Sequence, residues 1–403
     1  MSRSYYLDSL RGLAACLVAI THFFGMFLPY AVFGNSVLYT QHFWWEHALL
    51  IPPLSLLTSA HFAVCLFFVL SGYVLSINSV GKPGRVTILA IAIAKRPVRL
   101  GGVLVISVIV GAFLMSSDLL FHNEVAALTG AELWLSQFWS LEYSTHQLLI
   151  DFITAGAGSE YNPPLWTLRI ELIGSFLVFG LMIALNALPY TLRTLVLLTI
   201  YFLLHGKFYD AFVFGLLVAD ARANTNVSNI ELRGRIAVVA GFMSLALASF
   251  PYYSSKLAIA EGESIFGDHG SSMLHVPMVA AQFLFILVLF TPVTHKWLNN
   301  RKLIWLGGIS YSLYAFHFLI LGSLSSIVFI QSQLYFSYGH SVLITGVITL
   351  VSVFCSAALI NRWVDTPAIS AASWLDRKLR QFVDRLLKRW RLQGKKTDES
   401  YRG

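Results

Sequence analysis

The sequence predicts an all-α polytopic transmembrane helix bundle of about ten spans, with both termini in the cytoplasm. Three observations predict it. Hydrophobic residues make up 57% of the 403 and charged residues only 12%, against about 25% charged in an ordinary soluble domain. Apolar runs approaching the ~20 residues needed to cross a bilayer recur along the whole chain. Lysine and arginine gather in alternate connections, as the positive-inside rule requires of a multi-pass protein. No polar block is long enough for a second folded unit, so residues 1–366 read as one membrane domain and 367–403 as a cytoplasmic basic tail.

In chain order the spans fall at roughly 6–28, 60–78, 99–116, 165–185, 189–205, 208–222, 235–250, 274–293, 303–330 and 339–363. The sixth is short and holds Asp210 and Asp220. Val86 to Ala94 is apolar but too short to span, and is expected to lie at the interface. Residues 131–153 mix tryptophan, leucine and acids, which suits an interfacial or re-entrant helix on the opposite side. No cleavable leader pattern precedes span one, so it is expected to be retained. No solenoid-like internal repeat is visible.

Lys82, Arg85, Lys95, Arg96 and Arg99 follow span two; Arg222, Arg233 and Arg235 follow span six; Lys296, Arg301 and Lys302 follow span eight. Ten more basic residues lie beyond Arg362. Between Ser117 and Leu165 the chain has Asp118, Glu124, Glu132, Glu142, Asp151 and Glu160 without one lysine or arginine. The basic loops therefore face the cytoplasm. Trp374 to Arg391 carries apolar residues at helical spacing opposite a basic face, the pattern of an amphipathic helix on an anionic leaflet. The formal charge of +8 comes largely from this tail, which argues for lipid contact and against nucleic acid. Cys16, Cys65 and Cys355 sit in apolar segments at unrelated spacings and read as small core residues; no metal pattern is present.

Charged and titratable side chains recur where lipid would exclude them, which marks a functional interior. In span one Arg11 and His22 are eleven residues apart, a separation that returns to nearly the same helix face about 16 Å further along the axis. Asp8 shares that face. Ser71, Gly72 and Tyr73 interrupt span two, a pattern that also serves close helix packing. Arg96 and Arg99 share a face at the mouth of span three and suit phosphate. Span four enters from outside at Trp166, which puts Glu171 about 8 Å deep. That is the depth of His22, so a direct contact between the two is expected. Ser310, Tyr311, Tyr314 and His317 lie within two turns of span nine.

Six segments in order, LDSLRGLAACLVAITH at 7–22, FFVLSGY at 67–73, KRPVRL at 95–100, WTLRIE at 166–171, SYSLYAFH at 310–317 and WVDTP at 363–367, resemble the acyltransferase-3 family. Departures from its pattern are Gly101 and Gly102, Thr167, Arg169 and Asp365. The resemblance implies a multi-pass enzyme of the bacterial inner (plasma) membrane. Such an enzyme moves an acyl group, usually acetyl, from cytoplasmic acyl-CoA to an extracytoplasmic glycan or glycoside. No hydrolase-like domain follows the last span, so transfer is expected to finish within the bundle or with a separate partner.

On this reading His22 is the general base, suited by an imidazole's ordinary range near neutrality. Asp8 or Glu171 could orient it; Glu171 is preferred on depth, and Asp8 is better placed to hold Arg11. Arg11, Arg96 and Arg99 form a mouth for the phosphates of coenzyme A. Ser71, Tyr311, Tyr314 and His317 are candidates to bind the thioester carbonyl or the acceptor. Direct base catalysis is preferred over an acyl-His22 or acyl-Ser71 intermediate. A rival from another class is a flippase or transporter of a lipid-linked sugar, since buried charge marks those proteins too. The absence of repeated halves weighs against it.

Overall fold

The computed structural model describes residues 4–139, 160–225, 231, 234–250 and 275–400. Among them the chain is helical and contains no strand. Eleven helices matter for the site: α1 (Tyr5–Phe27), α2 (Ala60–Ser76), α3 (Val86–Ser116), α4 (Trp166–Leu185), α5 (Tyr190–Leu203), α6 (Tyr209–Asn224), α7 (Gly234–Ala248), α8 (His275–Phe290), α9 (Arg301–Ile320), α10 (Tyr338–Ile360) and α11 (Thr366–Ser400). Each expected span overlaps a helix among the described residues. Among the described residues five meet the length and apolarity of a crossing: α1, α3, α4 with its leading turn, α9 continued to Gln333, and the helix beginning at Tyr338. Val276–Phe290 and Pro292–Leu298, bent by 92°, form a sixth when taken together. Helices α2, α5 and α7 are apolar but shorter.

Helix α1 lies at the centre, flanked by α9 and α2, while α6 covers the far side of α2. Lipid is as apolar as leucine, so these contacts depend on close packing rather than on hydrophobic burial. Small residues permit it. A Cβ on Gly307 of α9 would collide with the backbone carbonyl of Asp8, and one on Gly72 of α2 with that of Phe212. Gly72 therefore serves packing, while its neighbour Ser71 faces a cavity. Above the bundle, short helices at Tyr30–Phe33, His122–Thr129 and Glu132–Leu135 close an aromatic core of Phe27, Phe33, Trp134, Phe138, Trp139 and Phe318.

One expectation needs correction. Val86 to Ala94 is no separate interfacial piece: α3 runs unbroken through Pro97 for 31 residues. Proline removes one helix hydrogen bond and favours a break. Tertiary ties on both sides of it outweigh that preference, because Arg96 binds α4 and Arg99 binds Asp365, just beyond α10. At residue 366 the chain stays helical. A π turn at Asn361–Asp365 joins α10 to α11, and α11 then lies along α3. Of the interfacial segment expected at 131–153, Glu132–Leu135 forms a short helix, and residues 140–153 lie outside the described residues.

Candidate active site

Two cavities lie one above the other along α1. The inner one, about 250 Å³, is lined by Asp8, Arg11, Ser71, Arg96, Arg99, Glu171, Tyr311 and Asp365, with apolar walls from Val64, Phe67 and Phe68. Ile369, at the start of α11, lines the same cavity. The outer one, about 40 Å³, is lined by Val18, Thr21, His22, Gly25, His61, Trp134, Phe138 and Trp166. Val64 and Tyr314 line both, so the Tyr314 ring stands between them.

Charge in the inner cavity is balanced residue by residue. Arg11 faces Asp8 at 3.9 Å. Arg96 donates to the Glu171 carboxylate and, from Nε, to Ser175 Oγ at 2.9 Å. Arg99 donates to Asp365 Oδ1 at 2.5 Å, and its guanidinium lies 5.8 Å from the centre of the Tyr311 ring. Among the described residues three arginines meet three carboxylates, so this lining is formally neutral. Each guanidinium has five N–H donors and these contacts leave several uncommitted, most of all on Arg11. The cavity is thus charge-compensated but rich in donors.

The expected contact between His22 and Glu171 is not formed. Glu171 belongs to Arg96 and the inner cavity. The depth count started from Trp166 as though it lay at the outer surface. The structure instead buries Tyr161 through Leu165, with Asn162 Nδ2 bonded to the Ala315 carbonyl at 2.7 Å. Helix α4 therefore starts inside the protein, and Glu171 lies deeper than His22.

His22 has another partner. Its Nδ1 is 2.8 Å from His317 Nε2, and the two rings are parallel within 7° with centroids 5.1 Å apart. Phe318 meets His22 edge-on at 5.0 Å. His317 is fully buried and is not among the residues lining either cavity. Both phenols proposed for the thioester carbonyl already have acceptors. Tyr311 donates to the Leu100 carbonyl at 2.6 Å, and Tyr314 to the Pro164 carbonyl at 3.3 Å. Thr167 Oγ1 bonds the Tyr314 oxygen at 2.9 Å, holding the ring between the cavities. Ser71 lines the inner cavity, away from His22.

Sequence reasoning did not single out His61 or Asp365 as site residues. A histidine in the first turn of an apolar helix was a visible signal for His61, since ionisable groups in spans are functional candidates by default. Asp365 is brought onto Arg99 by the π turn, whose extra residue a 3.6-residue count does not anticipate. Outside the site, Arg193 binds Asp220 through Nε and Nη2 at 2.8 to 3.0 Å, locking α5 to α6. That pairing accounts for one of the two acids in the short sixth span.

The family model of an acyltransferase domain, the acyltransferase-3 type, matches residues 4–361 and so takes in every residue of both cavities except Asp365 and Ile369. The chain belongs to the acyltransferase-3 family. It is accordingly a multi-pass membrane protein of acyltransferase type. No curated protein and no solved structure matches it. Within this acyltransferase, Arg11 and His22 stand on one face of α1 at the inner and outer cavities respectively. Among the described residues no three His, Cys, Asp or Glu side chains converge as a metal site.

Proposed function

We propose that this acyltransferase moves an acetyl group from cytoplasmic acetyl-CoA to a hydroxyl of an extracytoplasmic glycan or glycoside. It does so in a bacterial inner membrane that it crosses ten times with both termini inside. The observation that carries the reading is the pair of cavities meeting at Tyr314, with guanidinium donors in one and an imidazole in the other. Arg11, Arg96 and Arg99 supply donors for the phosphates and pantetheine amides of the donor. An extended pantetheine arm covers the ~16 Å between the levels of Arg11 and His22. His22 takes the proton of the acceptor hydroxyl. The oxygen then forms a bond to the thioester carbonyl carbon, the C–S bond breaks, and the proton passes from the imidazolium to the departing thiolate.

The test is transfer of radiolabelled acetyl from acetyl-CoA by the full chain in nanodiscs, followed by mass spectrometry of the acceptor glycans. His22→Ala is expected to lower the rate by about 10²- to 10⁴-fold, the usual contribution of a general base, at equal insertion. Wild-type turnover by that variant would remove His22 from the chemistry. Movement of a lipid-linked sugar across proteoliposomes, with no acyl transfer, would instead favour a transporter.

A further inference from the structure

The residue opposite His22 is a histidine, where a triad hydrolase has a carboxylate. We propose that His317 is the positioning residue of the reaction: it fixes the tautomer of His22 so that Nε2, the nitrogen left to the substrate, carries the lone pair. This rests on the reading of His22 as base.

The argument is one of hydrogen-bond donors. His317 Nδ1 lies 2.8 Å from the Tyr314 carbonyl and 3.3 Å from that of Leu313, one turn back on α9. A carbonyl oxygen only accepts, so Nδ1 of His317 carries hydrogen. A neutral imidazole has one N–H, which leaves His317 Nε2 as an acceptor. The atom 2.8 Å away is Nδ1 of His22, which must therefore donate. His22 Nε2 is then the unprotonated nitrogen. The opposite assignment would make His317 a buried imidazolium with, among the described residues, no carboxylate bonded to either ring, an arrangement the interior opposes. The backbone of α9 thus dictates the proton inventory of a side chain on α1.

The same hydrogen bond survives the reaction. When Nε2 takes the acceptor's proton, His22 becomes an imidazolium that still donates from Nδ1 to His317. When that proton leaves with the thiolate, the starting tautomer returns. Proton uptake and release both occur at one nitrogen, and neither step requires His317 to turn. Glu171, committed to Arg96 in the other cavity, is not needed for this.

The test uses the full chain in nanodiscs with acetyl-CoA. His317→Leu removes the acceptor and should lower kcat by about 10²-fold or more, with KM for acetyl-CoA within about two-fold of wild type. His317→Gln offers an amide oxygen to the same Nδ1–H and should recover at least a tenfold part of the loss. In the ¹⁵N spectrum of selectively labelled histidine, wild-type His22 should carry hydrogen on Nδ1, whether or not the leucine variant folds. A wild-type His22 protonated on Nε2 would overturn the proposal, as would a leucine variant with normal kcat. If His22→Ala is inert while His317→Leu turns over normally, the positioning role alone fails. If His22→Ala turns over normally, the base and its positioning residue fall together.

Discussion

Three guanidinium–carboxylate pairs in the inner cavity decide what single substitutions should do. Arg96 and Glu171 are both largely buried, at 17% and 13% side-chain exposure. Removing one partner of such a pair leaves an uncompensated charge and costs about 3 kcal/mol or more of stability. Arg96→Ala should therefore lower thermal stability and raise KM for acetyl-CoA. Glu171→Gln keeps a hydrogen-bond acceptor for Arg96 and makes the cavity more positive. It should leave that KM unchanged or lower it, with kcat falling less than about tenfold. A carboxylate that steadied His22 directly would show a loss of about 10⁴, as in the hydrolase triad. Steady-state kinetics on the two variants separates the cases. The residues of α1 were legible from sequence because Arg11 and His22 share one helix, whose geometry is rigid. The place of Glu171 depended on where α4 starts. That is set by Tyr161–Leu165 folding inward, which no local pattern announces.

At the scale of elements, the tail is a strut on α3 as much as an amphipathic helix. Asp376 of α11 accepts from Lys95 of α3 at 2.9 Å and from Arg380 at 2.7 Å. The Arg380 hydrogen bond, followed by that of Lys95, pulls the Asp376 carboxyl from the usual 3.8 down to about 2. A depressed folded-state value stabilises the docked helix above 3.8. The contribution fades as the pH falls from there through about 2. Docking should thus be indifferent to pH near neutrality and weaken only in acid. Partly exposed pairs are worth about 0.2–1 kcal/mol each, so Asp376→Asn or Lys95→Ala should speed tryptic cleavage after Arg377 about two- to fivefold at pH 7. Equal cleavage rates would mean that apolar contact alone holds the tail. Helical periodicity made the tail visible in the sequence. Its continuity with α10 was not visible, because the π turn preserves the helix while shifting its face, and only the bound Arg99 reveals why Asp365 is needed there.

On the proposed function the whole molecule places its chemistry across a barrier. Guanidinium donors lie beside the start of α1 and α11, the imidazole pair lies towards the far ends of α1 and α9, and one phenol stands between. Composition made the helical class legible, since it follows from the bilayer acting as solvent, while loop charge supplied a sidedness to be tested. The count of crossings is less direct, because α2, α5, α6 and α7 span only 14 to 17 residues and take their place from neighbours. If the basic connections face the cytoplasm, Lys82→Cys should react with a membrane-impermeant maleimide only after cells are opened. Val37→Cys, 90% exposed at the other end of the bundle, should react in intact cells. The same orientation makes the donor reaction vectorial. In vesicles of inverted orientation, external acetyl-CoA should acetylate acceptor enclosed in the lumen. In right-side-out vesicles, acetyl-CoA must be loaded inside before external acceptor is modified. Equal rates from both orientations would mean that the donor and acceptor cavities open to the same side, and the route from Arg11 past Tyr314 to His22 would have to be abandoned.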